Sequence, residues 1–419
     1  MMTKQCQISS RNCLSILKVF GLLIALYLIF GAGAYLMPDS AVQHHIEKTL
    51  DQGDLDSDQP RAFLPRQQCR MDNFTDAIIL NQAYVMRVEG FCTGVLLVPR
   101  WGEVPLLPYE VLRAGVNGEE TYIRHYGRYW HGNTFLTRYL LVFFDYISIR
   151  LLLYIITTLL SVWCAILLWR RAGWQTAAVV AFGLAASYAF MMQFSMQFAQ
   201  VLILALAGMI ALVGTRRAVS AERQSIAFFV IGSLTCYFDL LTAPMLTLGL
   251  MLVLQAALMP EGTLWQGWRC SLGSALLWAA GYVGTWVSKW IIATLFTSEN
   301  VIADGIHNTL NRSDIGDYSR WDAIMANLDL LPWQFILIAV LLLVVLAVVR
   351  FNAQGWLRAV QLLPIALLPW VWYFLAANHS YLHCWFTFRA QAVSIAAILL
   401  ALMQFVDWKN IKLKTKKLK

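Results

Sequence analysis

The sequence predicts an all-α integral membrane protein with about ten transmembrane helices and a large first external loop that contains interfacial helices. Three observations lead there. Apolar runs close to the roughly 20 residues that cross a bilayer recur along the chain. Of 419 residues, 59% are hydrophobic and only 13% charged, about half the charged fraction of a soluble protein. The basic residues, finally, are sorted by side.

The apolar runs fall at 15–37, 147–169, 174–193, 197–215, 225–241, 243–259, 271–296, 333–349, 357–377 and 388–408. The fifth and sixth form one stretch bent at Thr242-Ala243-Pro244. With the N-terminus inside, the cytoplasmic segments hold 17 basic residues against three acidic ones (Glu222, Glu261 and Asp407). The rest of the chain holds 15 basic and 21 acidic residues. This asymmetry follows the positive-inside rule and predicts that both termini are cytoplasmic. The net charge of +8 therefore reports topology and contact with anionic lipid, not nucleic acid. The chain reads as one polytopic domain: tail and first span (1–37), external loop (38–146), remaining spans (147–408) and a basic cytoplasmic tail (409–419). A basic stretch precedes the first span, as in a signal peptide. Its run of about 23 apolar residues and the poor cleavage site Met37-Pro38-Asp39 favour a retained anchor.

Within the external loop, His44 to Leu50 suits a short helix, 53–66 an irregular acidic stretch, and Asn73 to Val85 an amphipathic helix. The aromatic stretch 134–146 suits a helix lying along the interface. A second polar segment, 297–332, emerges on the same side. Long loops usually carry function. Eight cysteines show no metal-ligand spacing; Cys69 and Cys92 share the external loop, either as a pair or as two free thiols.

Seven ionisable residues intrude on the apolar runs near that face: Asp145, Arg150, Asp239, Lys289, His379, His383 and Arg389. Charge in hydrocarbon costs several kcal/mol, so such positions are functional suspects, and together they predict one membrane-embedded site open to the outside. Asp72 and Asp76 are four residues apart, a spacing that puts two carboxylates near one helix face. They suit general-base chemistry or a divalent cation, or else a helix cap with its first-turn acid. Tyr126-Gly127-Arg128-Tyr129-Trp130-His131-Gly132 combines sugar-stacking rings with a phosphate-binding fork; an interfacial aromatic belt explains its rings alone. Asp239 sits at the bend, as an ion-pair partner of Arg150 or Lys289 or as a cap. Lys289 either meets an anionic headgroup or snorkels outward. His379 and His383 are spaced like a metal pair but lack the accompanying Glu; phosphate binding with Arg389, or acid catalysis, is the competing reading.

One N-terminal span, a long external loop with an early acidic pair, and many later spans give an architecture that resembles GT-C-type integral-membrane glycosyltransferases. Asp72-Asn73-Phe74-Thr75-Asp76, the 126–132 segment, Asp239-Leu240-Leu241-Thr242-Ala243-Pro244 and Asn378-His379-Ser380 running to Phe386-Thr387-Phe388-Arg389 are similar to stretches in a set of bacterial polytopic proteins. The resemblance implies transfer of a sugar from a polyprenyl-phosphate carrier on the non-cytoplasmic leaflet to a cell-envelope glycan or lipid. It implies Asp72 as the base and Asp76 as its partner or a second ligand. Lys289, Arg389 and Arg128 would hold the lipid phosphate, and Tyr129, Trp130 and His131 would line the sugar site. The chain departs from the family in lacking a second Asp-x-Asp pair and a soluble C-terminal domain, which leaves a divalent cation and a large acceptor open. A transporter or flippase of lipid-linked sugars, and a non-catalytic envelope-assembly protein, are the alternative expectations.

Overall fold

A computed structural model describes residues 10–56, 67–102, 106–214, 220–259, 262–316 and 318–408. The basic tail 409–419, Lys4, Arg216, Arg217, Glu261 and most of the irregular stretch 53–66 lie outside the described residues.

The chain begins with a long apolar helix, α1 (Ser10–Leu36), and then enters the expected loop. The loop is not loose. It folds as α2 (Asp39–Asp51), α3 (Asn73–Val85), α4 (Phe91–Leu96), α5 (Pro108–Val116) and α6 (Gly132–Leu140), with a small antiparallel ribbon between α4 and α6. The ribbon pairs β1 (Arg100–Gly102) with β2 (Tyr122–Arg124), so the chain is not purely α-helical. The remaining helices follow as α7 (Tyr146–Arg171), α8 (Trp174–Ala186), α9 (Met196–Val213), α10 (Ala221–Phe238), α11 (Pro244–Leu258) and α12 (Leu264–Phe296). The second polar segment contains α13 (Val301–Ser313) and α14 (Arg320–Leu328). Then come α15 (Trp333–Val349), α16 (Trp356–Ala366), α17 (Leu368–Leu375), α18 (Ala377–Leu382), α19 (Cys384–Thr387) and α20 (Ala392–Gln404).

The ten-span reading is corrected. Among the described residues, five helical segments are long and apolar enough to cross a membrane: Cys13–Leu36, Tyr146–Arg171, Met196–Val213, Ala353–Leu375 and Cys384–Gln404. A sixth arises only if Arg320–Leu328 and Trp333–Val349, bent by 80°, count as one. The other runs fall short for local reasons. The run at 174–193 breaks after 13 helical residues, where Tyr188 takes a left-handed conformation (φ 52°). That at 243–259 yields 15 helical residues, starting at Pro244. The run at 225–241 lies in α10, which opens on Glu222, Arg223 and Gln224. The run at 271–296 belongs to a 33-residue helix whose Gln, Arg, Ser, Thr and Lys dilute its apolar content. The protein is a multi-pass membrane protein, but most of its helices form a packed bundle and not a ring of ten equivalent spans.

Burial separates the two kinds of helix. On α7 the exposed residues Ile147, Leu151, Ile155, Leu159, Val162, Ile166 and Trp169 make a continuous apolar face of the kind a membrane-spanning helix turns outward. On α9, by contrast, 14 of 18 residues are buried, which marks a central helix that is apolar all round. α11, α7 and α10 flank it, α20 packs against α11 on one side and against α8 and α16 on others, and α10 runs along α12. The contact of α10 with α12 is made by glycines: a Cβ on Gly232 would overlap the Trp278 carbonyl oxygen, and one on Gly281 the Phe229 carbonyl oxygen. Small residues of this kind let helix backbones meet where lipid offers no hydrophobic drive.

Loop one caps one end of this bundle. Val42, Ile46 and Leu50 of α2, Ile79 and Leu80 of α3 and Leu112 of α5 share a core with Tyr146 and Ile149 of α7 and Met196 of α9. The stretch 134–146 is buried at its start and exposed at Phe143 and Phe144. Phe135, Thr137 and Arg138 of α6 are buried, and the Arg138 guanidinium donates to the carbonyls of Ala34, Ala83 and Met37 and pairs with Asp39. Cys69 is buried, Cys92 is exposed, and both are free thiols.

The glycine contact gives a paired test. Gly281→Ala is expected to lower thermal stability in detergent by about 1–3 kcal/mol, the cost of overpacking. Gly273→Ala, on the same helix with open space around it, is expected to be neutral or slightly stabilising.

Candidate functional site

Asp72 caps α3, its Oδ1 accepting from Thr75 N–H at 2.8 Å. Its Oδ2 is buried and has no hydrogen-bond partner among the described residues. Burial, and then the neighbouring Asp76, push the Asp72 carboxyl up to about 7, against the opposing pull of Thr75 and Arg389. The cap reading and the reactive reading thus apply to different oxygens of one side chain.

Asp76 has no such freedom. Its Oδ1 accepts from Ser195 Oγ–H (3.3 Å) and Gln197 N–H (3.3 Å), and its Oδ2 from Met196 N–H (3.2 Å) and Tyr146 O–H (3.2 Å). The carboxylate therefore caps α9 from another element. Burial raises its pKa, with Arg150 the largest opposing influence. Arg150 itself donates to Tyr146 Oη (2.7 Å) and Asn73 Oδ1 (3.1 Å).

Arg389 is near enough for its charge to act on the Asp72 carboxyl, with no ion pair between them among the described residues. It is fully buried, its Nη2 donates to the Arg70 carbonyl at 3.2 Å, and its Nε and Nη1 have no partner among the described residues. Each of these two oppositely charged side chains thus keeps polar atoms to spare, which suits a ligand that both donates and accepts hydrogen bonds.

Gln197 carries the network onward. Its Nε2 donates to Asp239 Oδ1 and Thr242 Oγ1, both at 3.2 Å, and its Oε1 accepts from Asn133. Asp239 also accepts from Thr242 N–H at 2.8 Å, which stabilises the break between α10 and α11 where Leu241 takes φ 68°. It forms no ion pair with Arg150 or Lys289 among the described residues. Its Oδ2 remains buried and unpartnered.

The 126–132 segment forms the second cluster. Trp286 Nε1 and Trp290 Nε1 both donate to the Arg128 carbonyl, at 2.8 and 3.0 Å, and Trp130 Nε1 donates to Thr285 O at 2.6 Å. Tyr129 stacks on Trp286, and Lys289 Nζ lies 5.2 Å from the Trp130 ring centroid. That ammonium is buried with no hydrogen-bond partner among the described residues. His131 starts α6 in the left-handed region (φ 58°). Its Nε2 lies 2.7 Å from the Tyr126 carbonyl, so Nε2 must carry the proton. Burial holds the ring neutral, down to about 3, which leaves Nδ1 as an unpartnered acceptor.

The expected residues therefore sort into two linked clusters. Asp72, Asp76 and Arg389 meet at the junction of α3 with α9 and the segment leading into α20; Arg128, Tyr129, Trp130, His131 and Lys289 surround the start of α6. His379 binds the Leu241 carbonyl through Nε2 at 2.8 Å and packs 4.8 Å from His383, ring to ring. Asp145 stands apart: it caps α7 and pairs with Lys48 at 2.7 Å. Gln197, Asn133 and Arg312 escape sequence reasoning. The first two are uncharged, and Arg312 sits in a polar loop where an arginine is unremarkable until its neighbours are known.

A divalent cation does not fit this donor set well. Asp76 already accepts four hydrogen bonds, and the free oxygen of Asp72 has a guanidinium for a neighbour. Among the described residues, no three His, Cys, Asp or Glu side chains gather as metal ligands. Protein-family models, curated proteins and solved structures offer no match to this chain.

Asp72 makes a stability prediction with a definite sign. An ordinary aspartate titrates near 4 and the folded one near 7, so between these values the folded state holds the extra proton. Stability then falls as pH rises through that window. Asp72→Asn keeps the cap and removes the charge, and is expected to melt several degrees above the wild type at pH 8, with the gap shrinking at pH 5. A variant that melts lower at both pH values contradicts a destabilising buried carboxylate.

Proposed function

We propose that the protein is a membrane glycosyltransferase that moves a sugar from a polyprenyl-phosphate donor to a cell-envelope glycan or lipid on the non-cytoplasmic face. The observation that supports this best is the split role of Asp72, with one oxygen fixed by the cap and the other buried, unpartnered and near enough to Arg389 to feel its charge. The ten-span arrangement of GT-C enzymes forms no part of the reading. The reaction class rests on the resemblance of one N-terminal span followed by a long external loop with an early acidic pair, and the charge asymmetry of the sequence supports the orientation.

In this reading Asp72 Oδ2 takes the proton of the acceptor hydroxyl. The hydroxyl oxygen forms the new bond to the anomeric carbon, and the bond from that carbon to the phosphate oxygen breaks. The electron pair leaves with the lipid phosphate. Negative charge grows on that group, and Lys289, Arg128 and Arg389 supply preorganised positive charge to stabilise it. His131 Nδ1 accepts from a sugar hydroxyl, while the Tyr129 and Trp130 rings, packed against Trp286 and under Lys289, hold the cationic side chains in place. Asp76 acts as a positioning residue: its charge raises the Asp72 carboxyl, and its contacts hold α9 in place.

The test is sugar transfer by membranes carrying wild-type or Asp72→Asn protein at matched levels. General-base loss predicts a fall of about 10²–10⁴-fold. The wild type should gain activity as pH rises through about 7, because only the ionised carboxylate accepts the proton. Near-normal product from Asp72→Asn would overturn the reading.

A further inference from the structure

Arg312 occupies the last turn of α13, where a basic residue suits the negative end of the helix dipole. The dipole does not account for the course of its side chain. The guanidinium lies 5.3 Å from the Tyr129 ring centroid, and its Nη1 is buried with no hydrogen-bond partner among the described residues. No carboxylate pairs with it there. Arg128 approaches the same ring at 5.7 Å; its Nη1 meets Asp304 at 3.5 Å, and its Nε is buried and unpartnered. Lys289 Nζ, 5.2 Å from the Trp130 ring centroid, is a further buried nitrogen without a partner.

Hydrogen-bond capacity decides what these nitrogens call for. Each carries N–H bonds in any protonation state it can adopt, so each needs an acceptor. An unmade bond on a buried donor costs about 1–3 kcal/mol. The nearby unpartnered acceptor is His131 Nδ1, so donors are in excess. Water serves poorly, because every molecule that accepts from these nitrogens must place hydrogens of its own. A phosphate ester brings several acceptor oxygens and negative charge, and a guanidinium fork matches its geometry. Arg100, 5.7 Å from the Tyr126 ring centroid, adds positive charge at the edge of the same cluster.

Arg312 is also held in position. Glu299, just before α13, bonds to His125, and Asp304 of α13 meets Arg128. At the other end, Asn378 Nδ2 donates to the Asn311 carbonyl at 2.8 Å, and Tyr318 donates to Asn378 Oδ1. From this arrangement we infer that Arg312 is a further phosphate-binding residue, which clasps the phosphate of the prenyl-linked donor together with Arg128 over Tyr129. The identity of that ligand rests on the proposed transfer reaction; the demand for an acceptor-rich anion does not. The second polar segment is then part of the binding site and more than a connection between α12 and α15.

The test measures binding of farnesyl phosphate, farnesol and inorganic phosphate to the purified full-length protein by titration calorimetry, with the melting temperature recorded for each variant. The wild type is expected to bind farnesyl phosphate more tightly than either of the others. Arg312→Gln should weaken farnesyl phosphate about tenfold, the scale of a charge-assisted hydrogen bond, and leave farnesol binding and the melting temperature unchanged. Arg312→Lys keeps the charge over Tyr129 without the fork and should fall between the two; if the glutamine variant does not fold, wild-type affinity in the lysine variant overturns the inference. Arg320→Gln removes a charge from the same polar segment, at a side chain bonded to the Phe374 carbonyl, and should leave binding unchanged. Farnesyl phosphate affinity that ignores Arg312→Gln, or falls as much with Arg320→Gln, overturns the inference. Inorganic phosphate bound as tightly as farnesyl phosphate overturns the lipid-borne assignment. Sugar transfer is read apart from binding: Arg312-dependent affinity alongside normal transfer by Asp72→Asn keeps the phosphate clasp and overturns the transfer reading.

Discussion

The Asp76 carboxylate holds the structure together at the point where loop meets bundle. A buried anion is tolerated only when its oxygens are satisfied, and four donors satisfy this one. Two are the exposed N–H groups at the start of α9, which every helix must place somewhere and which carry partial positive charge. The central helix of the bundle therefore begins on a side chain from loop one. Everything placed relative to that junction, including Asp72 four residues upstream and Gln197 one position into the helix, inherits its rigidity.

Much of the ionisable part of the site was legible in the sequence because charge within apolar runs is rare enough to stand out. Asp239, Lys289 and Arg389 are all buried. What the sequence could not convey is sorting. Asp145 looks equivalent to Asp239 in a linear reading, yet one caps a helix beside a half-exposed lysine and the other sits in a strained, buried turn. Spacing likewise made Asp72 and Asp76 a symmetric pair. Only the path of α9 distinguishes the satisfied carboxylate from the one with a free oxygen.

The fold was less legible than the site, for a related reason. Hydrophobic content says that a run is apolar, not whether lipid or protein covers it. α9 and α7 are similarly hydrophobic over a membrane-spanning length, yet protein surrounds one and the other is open along a face. The break at Tyr188, where a non-glycine residue turns left-handed, gives no compositional signal and divides a run that looks continuous, whereas Pro244 announces the one at Leu241. Loop one shows the same limit from the other side. Its aromatic stretch suggested the interface, but Arg138 needs three carbonyls and a carboxylate, and finds them only by drawing α6 into the bundle.

Helix α15 shows what loose attachment means for sequence drift. Only Ile336 and Leu343 of its 17 residues are buried, two turns apart on one narrow stripe, and it packs on α20. Hydrocarbon tails do not distinguish leucine from isoleucine, valine or phenylalanine. Over generations, the outward positions of this helix are free to exchange among apolar residues almost at random, while 336 and 343 change slowly. Its lineage would preserve a length and a stripe, and little else.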